Sequence, residues 1–398
     1  MPRRYTHLAK TGSSGYARLM GILSNISTAL THPIVGTGGI FHSIDMLRGL
    51  SAIAILVFHY GHFTMGNGTI SLPPERLSEV SLYWSLGYIR THGALAVMMF
   101  WMISGFVFMH VYAGKSVTGW EFFAIRFARL YPLHFLTLLL VAAIQWASMG
   151  AFGHYLIYQI NDAWHFVLNL FMASEWGLSE GNSFNGPIWS VSAEILIYVL
   201  FWLYIRAGFS SLLSSGLLAL AFLALFMVFR ISVILCGAYF FAGATLYAAF
   251  SMIPAPRYRW ALIASLISLV AWAGAFAMGM LAKLPLTFTL LGLFAPVLLA
   301  LALSERIGLA YKRFRAVGDL TYSTYLWHSP LQMLFLAGAA AGLWSVDIVL
   351  TNGFFIAYLI AMCLFGYASF DLIEKRARDW LRMRMLGAER PVKVVAAP

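Results

Sequence analysis

The stretch His42-Ser-Ile-Asp-Met-Leu-Arg-Gly-Leu-Ser-Ala-Ile-Ala-Ile-Leu-Val-Phe-His-Tyr-Gly-His-Phe63 is long and apolar, yet it carries an arginine at 48 and a histidine at 59. A helix of this length spans the hydrocarbon of a bilayer, roughly 30 Å, so residues 44–63 read as a membrane-crossing segment. The composition of the whole chain points the same way. Of 398 residues, 61% are apolar and 10% are charged, against about 25% charged in an ordinary soluble domain. So few charges cannot cover a 44.2 kDa body in water. Intrinsic disorder and a disulfide framework are excluded with the soluble globule, because Cys236 and Cys363 are the two cysteines and both sit in apolar runs.

Further apolar runs at 92–112, 131–149, 187–206, 212–229, 232–250, 260–280, 286–303, 319–338 and 350–372 predict an all-α polytopic membrane protein of about ten helices. The net charge of +11 could indicate nucleic acid, but the placement of the basic residues argues against it. With the N-terminus inside, every Lys and Arg falls on cytoplasmic segments except Arg76, Arg90, Arg230, Lys283 and the intramembrane Arg48. That is the asymmetry of a membrane protein with both termini cytoplasmic. Residues 1–43 read as a flexible cytoplasmic tail and lack the features of a signal peptide. Residues 44–374 read as the membrane domain, and 375–398 as a basic cytoplasmic tail. Residues 150–186 form one sizeable external loop, in which the apolar piece 163–173 is too short to span and suits a re-entrant or interfacial helix. Sequons at Asn25 and Asn67 are short enough to be chance matches.

Ionisable residues inside spans identify the functional region, since each costs about 2.5–3.5 kcal/mol near the bilayer centre. Arg48 and His59 lie 11 positions apart, almost a whole number of helical turns, so they share one face about 16 Å apart along the axis. Arg48 could instead snorkel to the headgroups, with His59 bonding to a neighbouring helix. In the fourth span Ser190, Glu194 and Tyr198 form a polar stripe at i, i+4, i+8. Glu194 falls at the depth of His59, making an acid/base pair conceivable. His328 falls near mid-membrane in the ninth span, beyond Tyr322 and Tyr325. Ser104 and Gly105 sit mid-span in the second, where close helix packing is the simpler reading. Arg126 and Arg129, three apart, would face one way as a phosphate clamp or as ordinary inside-positive flanking. His59 and His62 lack a further ligand cluster, so no metal site is expected. A polar channel emerges, with arginines at its cytoplasmic mouth and His59, Glu194 and His328 at mid to outer depth. Such a channel suits passing a group across the bilayer.

These residues also carry a family resemblance. Asp45-x-x-Arg48-Gly49 followed by His59, Phe-Trp-Met-Ile-Ser-Gly-Phe at 100–106, Arg126-x-x-Arg129, Trp189-Ser190-x-x-x-Glu194 and Leu-Thr-Tyr-Ser-Thr-Tyr-Leu-Trp-His at 320–328 resemble, in order, the integral-membrane acyltransferase-3 family. The resemblance covers about 44–374. It implies ten-helix enzymes that take an acyl group, usually acetyl, from coenzyme A in the cytoplasm and place it on a hydroxyl, commonly of a carbohydrate. It further implies that His59 is the essential histidine with Arg48 as its motif partner, that Arg126 and Arg129 bind coenzyme A, and that Glu194 is the acid of the Trp-Ser segment. Ser104, Ser190, Tyr198, Tyr325 and His328 are then expected to line the substrate cavity.

The expected reaction has His59 deprotonating the acceptor hydroxyl for attack on an acyl-CoA thioester, with Glu194 orienting the ring. A transient acyl-histidine is the alternative within that class. From another class, a proton-coupled or polyprenyl-saccharide transporter would use His59 and Glu194 as protonation sites, though no internal repeat supports it. A structural scaffold would tolerate loss of His59. The expected partners are the lipid bilayer, a coenzyme A thioester and a carbohydrate or glycolipid acceptor, in a bacterial inner membrane. The identities of the acyl group and acceptor, and the oligomeric state, are open at this level.

Overall fold

The computed structural model describes residues 24, 27–37, 39–66, 72–309 and 311–387. Both sequons, at Asn25 and Asn67, lie outside the described residues. Helix dominates, and no strand occurs among the described residues. The principal helices are α1 (His42–His59), α2 (Ala96–Tyr112), α3 (Gly119–Phe152), α4 (Ala163–Leu170), α5 (Ile188–Arg206), α6 (Leu212–Phe229) and α7 (Ser232–Ser251). They continue with α8 (Tyr258–Ala277), α9 (Leu286–Arg306), α10 (Arg315–Ala340), α11 (Asn352–Ser369) and α12 (Lys375–Leu386).

Nine helical segments among the described residues are long and apolar enough to cross a membrane, one fewer than the predicted ten. The difference is α10. At 26 residues it is about 39 Å long, more than a bilayer requires. Its composition is polar because its side chains meet protein rather than lipid: everything from Thr321 to Pro330 is buried. Thr321 receives a hydrogen bond from Arg48, Ser323 donates to Glu374, and Trp327 donates to Ser369. Pro330 cannot donate to the Leu326 carbonyl one turn back. Asn185, from the long loop, supplies that donor at 3.0 Å. A helix enclosed by others need not look like a span.

The periphery shows the opposite pattern. On α8, Trp260 and Val270 are 72% and 71% exposed, and α6 likewise turns Leu217, Leu220 and Val228 outward. An apolar exterior on this scale suits lipid and not water. Between core and rim, small residues set the closest approaches. A Cβ on Gly105 would stand 1.7 Å from the Phe240 carbonyl oxygen, and one on Gly243 would stand 1.9 Å from that of Met102. Gly105 is therefore the contact that lets α2 and α7 touch backbone to backbone. Gly318 plays the same part between α10 and α1, where a Cβ would meet the Asp45 side chain.

Two segments assigned to tails by sequence pack on the helical body. Ile34 and Phe41 are buried, and the Gly36 N–H donates to the Ala113 carbonyl at 2.8 Å. Beyond α11 the helix does not stop at 374. A single π turn, Phe370–Glu374, leads into α12, which lies along α3, and Trp120 Nε1–H donates to the Met385 carbonyl at 3.0 Å. The apolar piece at 163–173 contains α4, started by Asp162, whose carboxylate accepts from the His165 amide at 2.8 Å. That amide holds the exposed Asp162 carboxyl below its ordinary range.

Candidate functional site: an arginine-lined cavity and a histidine cluster

Five long helices and α12 enclose a cavity of about 320 Å³. Among its lining residues are Arg48 from α1, Ser104 from α2, Arg126 and Arg129 from α3, and Ser190, Glu194 and Tyr198 from α5, with Tyr322 and Tyr325 from α10. Eight of the ten residues singled out by sequence thus share one space. Arg378 and Arg382 of α12 complete it. They were missed because a basic run after the last apolar segment reads as a solvated tail.

The geometry within the cavity is set by few contacts. Arg48 stays in the bundle instead of reaching for headgroups: its Nη1 lies 3.5 Å from Asp45 Oδ1 and its Nη2–H donates to Thr321 Oγ1 at 3.2 Å. Arg126 stands among aromatic faces, 4.3 Å from the Phe108 ring centre and 5.9 Å from that of Tyr198, and donates to the Tyr112 hydroxyl at 2.8 Å. Its Nε has no hydrogen-bond acceptor among the described residues. The Glu194 carboxylate shares this lining with Ser104, Tyr198, Arg126 and Arg48, and its Oε1 has no hydrogen-bond partner among the described residues. Arg129 faces Arg48, Arg126 and the buried Glu374. Such a space presents planar guanidinium groups to whatever enters, the arrangement that suits phosphate oxygens.

His59 and His328 do not line this cavity. They belong to a separate cluster in which the His59 ring centre lies 4.6 Å from both His62 and His328, with His62 and His328 6.2 Å apart. The shared face of Arg48 and His59 is real, since both turn toward α10. The expected pairing of His59 with Glu194 is not formed. Equal depth on two helices does not bring side chains together when their faces differ, and His59 is held instead by the Ile55 carbonyl, 3.0 Å from Nδ1. A carbonyl can only accept, so Nδ1 carries the proton and Nε2 keeps its lone pair.

Gln332 fixes the rest of the cluster. Its amide Nε2 donates to the His59 carbonyl at 2.7 Å, so its Oε1 accepts from His62 Nδ1 at 3.1 Å. His62 therefore also keeps Nε2 free. His328, fully buried, has no hydrogen-bond partner on either ring nitrogen among the described residues. In the sequence His62 stands out only as a possible metal ligand beside His59, and Gln332 gives no signal. Among the described residues, no three His, Cys, Asp or Glu side chains are placed so that they could hold one metal ion, and this includes the histidine cluster.

Tyr325 stands between the two regions. Its hydroxyl donates to the Pro187 carbonyl at 2.7 Å and accepts from Ser190 at 2.8 Å, and its ring centre is 5.9 Å from that of His328. On the other side of the cluster, Tyr158 of the long loop sets its ring edge against His62 at 5.7 Å. It fits there because Gly186 has no Cβ, which would stand 2.2 Å from the Tyr158 ring. The preceding Ile157 adopts φ +59°, a left-handed conformation costly for a β-branched residue, so the surrounding loop must hold it there.

Comparison with known proteins adds to this geometry. The chain is 29% identical over 169 residues to the acyltransferase MdmB of Streptomyces mycarofaciens, covering 41% of this chain and 39% of that protein. Over 53 residues it is 49% identical to protein 2 in the picA locus of Rhizobium radiobacter, covering 12% of this chain and 28% of that protein. Both matches therefore span less than half of the relatives' own length. No solved structure matches. The acyltransferase-3 model, described as an acyltransferase domain, matches residues 41–371, which hold every helix from α1 to α11 with both the cavity arginines of α1 and α3 and the histidine cluster. The chain belongs to the acyltransferase-3 family.

Proposed function

We propose that the protein is a membrane O-acyltransferase that takes an acyl group, acetyl in the simplest case, from a cytoplasmic coenzyme A thioester and places it on a hydroxyl of a carbohydrate or glycoconjugate. The observation that carries this reading is the convergence of guanidinium groups on one cavity whose inner wall, Tyr325, adjoins the histidine cluster. Coenzyme A bears several phosphate charges at one end and the reactive thioester at the far end of a long arm. Arginines at one end of a cavity and a basic imidazole beyond the other match that separation. Rotation of Tyr325 would join cavity and cluster, so that the thioester reaches His59 while the phosphates stay on Arg126 and Arg129.

His59 acts as general base through Nε2. It takes the proton of the acceptor hydroxyl as the oxygen attacks the thioester carbonyl. The tetrahedral intermediate collapses with cleavage of the C–S bond, the ester remains on the acceptor, and the thiolate recovers the proton from the imidazolium. Glu194 serves the donor side, balancing Arg126 instead of orienting His59. The acceptor approaches from the side of the 150–186 loop, where Tyr158 borders the cluster. On this reading both termini lie in the cytoplasm of a bacterium and the loop lies outside its inner membrane.

The decisive experiment is mass spectrometry of cell-envelope glycans from cells with the protein, without it, and with His59→Ala. Loss of one acyl unit from a defined sugar in the last two supports the reading. Unchanged glycans, with coenzyme A ignored by the purified protein, would refute it.

A further inference from the structure

We infer that Arg378 and Arg382, on the helix that follows the last apolar segment, form the outer half of the donor's phosphate site. The inference rests on the acyl-CoA reading above and adds to it a binding element outside the region matched by the family model, which ends at residue 371.

Three observations carry it. First, both side chains line the same cavity as Arg48, Arg126 and Arg129, so five guanidinium groups surround one space whose lining includes one carboxylate, Glu194. Arg382 interacts electrostatically with both Arg378 and Arg126, a like-charge arrangement that costs energy until an anion enters. Second, α12 is docked and not loose. The π turn Phe370–Glu374 joins it to α11, Glu374 is buried against Arg129 and Ser323, and Trp120 bonds to the Met385 carbonyl near its far end. Third, Arg378 and Arg382 are one helical turn apart and point the same way, as Arg126 and Arg129 do on α3. Arg378 is held by Asp379 at 2.9 Å and is largely covered, whereas Arg382 is exposed. The pair thus runs from inside the cavity to its mouth. The two helices α3 and α12 present opposed arginine pairs to one ligand.

The test is the affinity of the full-length protein in detergent or nanodiscs for coenzyme A, measured by calorimetry. Arg378→Gln and Arg382→Gln are compared with Arg376→Gln, which removes an equal charge from an exposed position absent from the cavity lining. Each cavity variant is expected to weaken binding about tenfold, with a shallower dependence of affinity on salt, while Arg376→Gln stays within about twofold. In turnover, both raise KM for the acyl donor and leave kcat near wild type. Arg382→Gln lies at an exposed position, so its loss of affinity cannot be ascribed to misfolding, and thermal unfolding of each variant verifies this. If the wild type binds coenzyme A and both cavity variants match Arg376→Gln, this inference is overturned and the donor reading stands. If the wild type ignores coenzyme A, the donor reading falls and this assignment with it.

Discussion

The cavity and the histidine cluster lie side by side and are built by different rules. In the cavity, charged groups from α1, α3, α5 and α12 converge, and one polar atom on each of Arg126 and Glu194 has no hydrogen-bond partner among the described residues. In the cluster, His59 and His62 are tied by single hydrogen bonds to a backbone carbonyl and to Gln332, and the remaining contacts are ring against ring. Unmet guanidinium donors make a space ready for an anion. Imidazoles fixed through Nδ1 keep Nε2 available for a proton. On the function proposed above, the contrast separates donor binding from proton transfer.

Mutations can break that division. His59→Ala should have the largest effect, lowering acyl transfer by about 10²–10⁴-fold, the usual contribution of a positioned base, while affinity for coenzyme A stays within about twofold of wild type. Parallel loss of both in calorimetry and turnover assays would show that the two regions are one site. Arg126→Ala should do the reverse: affinity for coenzyme A falls by about tenfold or more, since a desolvated, charge-assisted contact is lost, and transfer at saturating donor is much less affected. An unchanged affinity would remove the cavity from donor binding. Gln332→Leu sharpens the comparison on the cluster side. It strands the His62 Nδ1–H, so thermal unfolding should register a loss of about 1–3 kcal/mol, with reduced transfer and unaltered coenzyme A affinity. A variant as stable as wild type would mean that water or rotation of His62 replaces the bond.

Part of this site was legible in the chain because some of its residues violate the rule for their surroundings. An arginine and a glutamate in apolar helices are costly enough to demand partners, and Arg48 and Glu194 do line one cavity, together with six of the other eight residues singled out. Arg378 and Arg382 gave no such signal, since arginines after an apolar run satisfy the inside-positive pattern whether or not they face a site. Gln332 was silent for a related reason: one amide in an apolar helix is cheap, and its importance lies in which two histidines it bridges. The helix α10 is marked in the sequence by the apolar run at 319–338, but its polar side chains are tolerated because of neighbours that only the folded bundle provides.

Sequence alone determined the solvent and the secondary structure of this protein. Backbone polar groups in lipid must be satisfied within their own helix, so long apolar runs had one available conformation. Family membership was likewise written in short motifs at fixed spacings. Tertiary structure decided which faces meet. It turned Glu194 to Arg126 and away from His59, set Tyr325 between cavity and cluster, and folded the basic C-terminal helix onto α3. Helical periodicity fixes which residues share a face, whereas the rotation of each helix about its axis is set by packing against its neighbours, through close contacts such as those at Gly105, Gly243 and Gly318.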